Sequence, residues 1–113
     1  MSDLTQSLAR ISFLVERALE CVDSGSDPRS GDVWWVLAAS TLPAQLLELE
    51  AAVRPGTVTV AEAPILVGAD TAARCLGLVQ AELASWDWDR LDRDTLRAGA
   101  RLVLDVSDLL RLP

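Results

Sequence analysis

The chain of 113 residues contains no His, Lys, Tyr or Asn, and only one Phe and one Met. Without His there is no Ser-His or Cys-His nucleophile pair and no imidazole metal ligand; without Lys there is no Schiff base and no P-loop lysine. Catalysis would fall to Asp, Glu, Arg, Cys, Ser or Thr alone. All 10 basic residues are Arg, a composition that a GC-rich bacterial genome readily produces. The net charge of -7 lacks the basic field that nucleic acid or an anionic membrane requires. The longest uncharged run, Val33 to Leu47, is broken by Pro43 and Gln45 and falls short of the roughly 20 residues of a membrane span. The opening "MSDLTQSLARISFLVER" starts acidic and carries Arg10 and Glu16 inside its apolar pattern, unlike a signal peptide. A cytoplasmic, acidic protein is the expectation, and an isolated cysteine pair there is more often reduced than bridged.

What is present is a core. Half the residues are apolar and 24% are charged, the balance of one globular domain spanning 1–113. Four segments repeat apolar residues at steps of three and four, the mark of a single helical face. The first, about Asp3 to Asp23, carries Leu4, Leu8, Ile11, Val15, Ala18 and Val22, with Ser2 as a cap and Gly25 where a left-handed residue ends the helix. The second, about Asp32 to Val53, carries Trp35, Ala39, Leu42, Leu46, Leu49 and Val53, and "RPG" at 54–56 stops it. The third opens at "TVAE", where Thr59 and Glu62 have capping-box spacing, and runs through Ile65, Ala69, Ala72, Leu76, Val79 and Leu83. The fourth begins near Asp92 with a candidate staple of Leu91 on Leu96, and its stripe is Leu96, Gly99, Val103, Val106 and Leu110.

Pro43 removes one backbone bond and crowds the carbonyl of Ala39. The apolar phase nevertheless continues through it, which favours one kinked helix over two joined by a loop. Connections of about five to nine residues imply antiparallel neighbours. The expected fold is all-α, an antiparallel up-down four-helix bundle with a Pro-kinked second helix. That topology would gather Trp34, Trp35, Trp86 and Trp88 at one end.

Neighbouring residues on a helix point about 100° apart, so neither tryptophan pair can bury both members against one surface. Trp35 lies on the apolar stripe; Trp34 heads a row turning toward solvent. The four indoles either close the bundle end as a half-buried lid, or Trp34 with Trp86 or Trp88 forms a docking hot spot. The aspartates at 87, 89, 92 and 94 do not make a calcium loop, because Leu91 and Asp92 stand where an acid and a glycine are needed; helix capping explains Asp92 and Asp94. Arg93, Arg97 and Arg101, with Arg90, share a face of the fourth helix. They could clamp an anion, but nearby Asp94, Asp105 and Asp108 favour a solvated ion-pair network.

A ridge of Ala69, Ala73, Gly77 and Ala81 suggests close packing on a neighbouring helix. Cys21 and Cys75 are expected to differ in height by roughly 9 Å at 1.5 Å per residue, too far for a disulfide. The function expected is protein–protein interaction, as an adaptor, accessory subunit or self-associating component. The candidate contacts are Trp34, Trp86, Trp88, Arg93, Arg97 and Arg101, with no metal, no cofactor, no nucleic acid and no membrane. The alternative is a small-molecule-binding bundle or carboxylate-type enzyme with a cavity near Pro43 and Gly77.

Overall fold

The computed structural model describes residues 4–53 and 70–111. They form α1 (Leu4–Asp23), α2 (Val33–Ala39), α3 (Leu42–Val53), α4 (Ala72–Ala84) and α5 (Arg93–Arg111), with a 3-10 turn at Trp88–Arg90 before α5. With α2 and α3 taken as two parts of one rod, this is an all-α domain of four helices, with no strand among the described residues.

Local chemistry sets most boundaries. Gly25, at φ +80°, turns the chain out of α1 in the left-handed conformation that only glycine adopts without strain. Asp32 caps α2 by accepting the backbone N–H of Trp35 at 3.1 Å. Pro43 cannot donate to Ala39, and the regular helix stops at Ser40 and Thr41, whose hydroxyls donate to the carbonyls of Val36 and Ala38, each at 2.7 Å. The apolar phase crosses this break, and Trp35, Ala39, Leu42, Leu46 and Leu49 are all buried. Thr71 caps α4 by accepting Arg74 N–H at 3.2 Å, so this helix starts at Ala72. The expected capping box at Thr59 and Glu62, the "RPG" stop, Ser2, and the Ile65 and Ala69 positions lie outside the described residues.

The rods pack as a ring in which α1 touches α4, α4 touches α5, α5 touches α2 and α3, and these close back on α1. Side-chain bonds fix the directions. Ser7 near the start of α1 donates to Glu82 near the end of α4 at 2.7 Å, whereas Asp27, just past α1, accepts the N–H of Ala72 at 2.8 Å. Trp35 at the start of α2 donates to the carbonyl of Leu109 at the end of α5, at 3.1 Å. Every touching pair is therefore antiparallel, but α2–α3 and α4 run the same way at opposite corners. The order departs from the expected alternation because Val53 and Asp70 lie at opposite ends of the bundle.

Two expectations fall with that order. Trp34 and Trp35 lie at the end that holds the α1–α2 loop, and Trp86 and Trp88 lie at the other, so the four indoles do not gather. The end of α1 that carries Cys21 and the start of α4 that carries Cys75 coincide, with Cys21 Sγ 4.0 Å from the carbonyl oxygen of Asp70, so the two cysteines are neighbours and not separated in height.

The core is filled by one cluster including Ile11, Val15, Leu49, Leu76, Val79 and Leu102. In α5 the buried positions are Thr95, Gly99, Leu102, Val106 and Leu109, and Leu96 is 41% exposed. The expected stripe held at Gly99 and Val106 but took in Leu96, which turns outward and forms no closed staple. On α4 the small-residue ridge faces out: Ala73 and Ala81 are exposed, and a Cβ added at Gly77 meets nothing within 4 Å.

Candidate interaction surface

Trp35 anchors the first turn of α2. Its side chain is 1% exposed, its indole N–H is bonded to Leu109, and the Arg29 guanidinium lies 5.7 Å above its ring. With Asp32 capping the same turn, the first turn of α2 is fixed in rotation. Trp34, one residue back and about 100° around the helix, is thereby held outward and is 80% exposed. Val33 at 65% and Leu37 at 57% are exposed beside it. This is an apolar face on a capped helix, and an exposed tryptophan at its centre needs a reason that core packing does not provide.

The face borders a groove of about 320 Å³ between the α2–α3 rod and α5, lined by Ala38, Thr41, Asp105, Asp108 and Leu109. Asp108 is paired with Arg111 at 2.8 Å, and Asp105 accepts the side-chain amide N–H of Gln45. The amide oxygen of Gln45 is buried and finds no protein partner among the described residues. The groove is thus apolar at its walls and acidic along α5. By length and composition Val33–Val53 is apolar enough to cross a membrane. Its inner residues fill the core, however, and its exposed large apolar side chains are those of this face together with Leu47 on α3.

At the opposite end Trp86 is 6% exposed. Its N–H donates to Ser7 Oγ at 2.6 Å, and Ser7 donates onward to Glu82 at 2.7 Å. Arg10 Nε donates to the same carboxylate oxygen at 3.0 Å. Burial works to raise the Glu82 pKa, but the hydrogen bonds from Arg10 and Ser7 outweigh it and hold the carboxyl below its usual value. Trp88 is half-buried, donates to the carbonyl of Leu83 at 3.1 Å, and lies 5.7 Å from Trp86 at an interplanar angle of 33°. These two indoles close the bundle end, and Trp86 offers no surface to a partner.

Arg93, Arg97 and Arg101 are exposed. Arg97 and Arg101 line a groove of about 370 Å³ with Glu48, Ala51, Ala52, Asp94 and Ala98. Among the described residues the ion pairs of α5 and the turn before it join Arg90 to Asp87 and Arg111 to Asp108, so the expected network of Arg93, Arg97 and Arg101 with Asp94, Asp105 and Asp108 does not form. The aspartate run is used locally. Asp87 pairs with Arg90 at 3.1 Å, and the hydrogen bond from the Thr95 side chain holds the Asp92 carboxyl below its usual pKa at the start of α5.

Among the described residues no group of three or more His, Cys, Asp or Glu is placed to hold a metal ion. Neither Pro43 nor Gly77 lines any of the hollows described here. No family model, no curated protein and no solved structure matches this chain.

Sequence reasoning placed Trp34 and Trp35 correctly because both lie within one regular helix. It missed Leu37 beside Trp34, and the groove that Asp105 and Asp108 line with Ala38 and Thr41. Leu37 is three residues on, a spacing visible in the sequence, but the approach of α5 depended on a topology that was not.

Proposed function

We propose that this protein is an interaction module that binds another protein through the outer face of α2, with Trp34 as the anchor and Val33 and Leu37 beside it. The observation that carries this reading is the contrast between adjacent indoles: Trp35 is locked into the core by two specific contacts, and Trp34 is presented to solvent by the same fixed turn. Tryptophan concentrates binding energy where it enters a desolvated pocket, and a rigid platform lowers the entropy lost on association. Asp105 and Asp108 at the rim fit a partner segment that joins apolar side chains to a basic one, in keeping with a net charge of -7.

The acidic rim and Glu48 on the same rod argue against insertion of this face into an anionic bilayer. Arg93, Arg97 and Arg101 are a second candidate contact, near the opposite end of α5. Cytoplasmic placement belongs to the same reading.

The test is affinity capture from the source cells with wild type, Trp34→Ala and Arg97→Glu, each shown to be folded by its melting curve, followed by reconstitution with the purified partner. A partner lost with Trp34→Ala and kept with Arg97→Glu is the expected result. Sedimentation of the purified chain and vesicle flotation run alongside. Trp34-dependent dimers or Trp34-dependent vesicle binding, with no such partner, would replace this reading by self-association or by a lipid surface.

A further inference from the structure

The chain has two cysteines, and the fold brings them together from different helices. Cys21 lies two residues from the end of α1 and Cys75 in the first turn of α4. Cys21 Sγ lies 4.0 Å from the carbonyl oxygen of Asp70, and the backbone N–H of Cys75 donates to the carbonyl of the next residue, Thr71, at 3.0 Å, so the two cysteines are neighbours where α1 packs on α4. The two differ in access. Cys21 is half-exposed and lines an open hollow of about 280 Å³ with Arg17, Asp27, Asp70 and Thr71. Cys75 is fully buried, and the α1–α4 contact covers it.

We propose that Cys21 and Cys75 form a dithiol site that peroxides oxidise to an intramolecular disulfide joining α1 to α4. This is independent of the docking face on α2.

The Cys21 thiolate attacks one oxygen of hydrogen peroxide. The O–O bond breaks, the departing hydroxide takes up a proton and leaves as water, and Cys21 becomes a sulfenic acid. The Cys75 sulfur then attacks the Cys21 sulfur. The S–O bond breaks, and the hydroxide leaves as a second water with the Cys75 proton. Each sulfur has lost one electron, and one peroxide has been reduced to two waters.

Burial pushes the Cys75 thiol up to about 11, with the neighbouring Cys21 adding to the rise and Arg17 opposing it, so Cys75 rests as an inert thiol until its neighbour is oxidised. The second step is favoured because the packing of α1 on α4 already holds the two cysteines side by side.

The experiment treats the folded full chain with hydrogen peroxide, blocks free thiols with N-ethylmaleimide, and measures intact mass without reductant. The expected product is a monomer lighter by two hydrogens that takes up no maleimide. Its melting temperature should be higher on the order of 10 °C, since the bridge closes a long loop in the unfolded chain, and dithiothreitol should reverse the change. In Cys21→Ser, a half-exposed site that keeps the core intact, Cys75 should resist the same dose. Oxidised protein in which Cys21 stops at sulfinic acid, covalent dimers in place of the bridged monomer, or equal oxidation of Cys75 in Cys21→Ser would overturn the proposal.

Discussion

Replacing Gly99 by Ala tests how Trp88 closes the bundle, and Gly77→Ala supplies the reference. Both glycines lie inside helices, where Ala is favoured by about 1 kcal/mol. At Gly77 an added Cβ meets nothing within 4 Å, so Gly77→Ala should stabilise by up to ~1 kcal/mol. At Gly99 the same carbon would lie 2.8 Å from Cζ3 and 2.9 Å from Cη2 of the Trp88 indole, with Leu49 Cδ1 behind it at 3.9 Å. Carbon atoms pack at about 3.5 to 4.0 Å, so the indole must retreat by most of an ångström. It is a rigid ring, tethered through its N–H to Leu83 and packed against Trp86, and retreat loosens both contacts.

Overpacking of this kind costs about 1–3 kcal/mol, which outweighs the propensity gain. The expected net effect of Gly99→Ala is a loss of about 1–2 kcal/mol, read as a lower urea midpoint at unchanged slope. In a Trp88→Leu background the clash is gone, and the same substitution should become neutral or stabilising, a coupling of about 2 kcal/mol. If Gly99→Ala stabilises the wild-type chain as much as Gly77→Ala does, Trp88 does not pack on α5 and the account of this end is wrong.

Trp35→Ala should cost about 3–5 kcal/mol as a buried aromatic, and Trp34→Ala less than about 1 kcal/mol; equal losses in denaturant melts would show that α2 is rotated from the position described. Cys75 offers a readable alkaline titration, because the chain has no Lys or Tyr. Its folded pKa of about 11 lies above the ordinary 9.0. The unfolded chain therefore releases this proton first, and stability present below pH 9 is lost as pH rises toward 11, by about 2–3 kcal/mol. Cys75→Ala should remove that slope, and an unchanged slope would refute the burial of the thiol. Glu82 has the opposite sign: its folded pKa is lowered, so its contribution is present at neutral pH and lost as pH falls below about the ordinary 4.5. Glu82→Gln should flatten the acid side of the stability profile, measured by urea midpoints from pH 7 to 3.

The helical faces were legible where a segment stayed in one regular helix. Every residue expected on the inner faces of α1, α2, α3 and α4 that is described is buried or partly buried, because a period of 3.6 leaves little choice of face once four or five apolar positions align. In α5 apolar residues occur on two adjacent rows, Leu96, Val103 and Leu110 against Leu102, Val106 and Leu109. The sequence alone cannot rank them, and only the approach of Trp88 to Gly99 and of Trp35 to Leu109 selects the second row. Topology was lost at one boundary. Starting the third helix at Thr59 made every connection short, and short connections demand alternation; the observed helix starts at Ala72 and runs the same way as α2–α3. From that single difference follow the separation of the two tryptophan pairs and the closeness of Cys21 to Cys75.

The tryptophan pairs also show where an angular argument holds and where it stops. Trp34 and Trp35 are consecutive in a helix, and a rotation of about 100° between them forces one outward once Asp32, Arg29 and Leu109 have fixed the other. Trp86 and Trp88 are two apart, which on a helix would set them nearly opposite, but α4 ends at Ala84 and the chain turns through Trp88–Arg90. In that turn both indoles fold back onto the bundle end, each with its N–H bonded, Trp86 to Ser7 and Trp88 to Leu83. The stretch "SWDWD" therefore looks like a display of two indoles and is a closure, whereas "DVWWV" looks like a core segment and displays one. Each end of the bundle carries two tryptophans, so their number does not distinguish the ends; helix continuity and the position of the cap leave Trp34 as the exposed one.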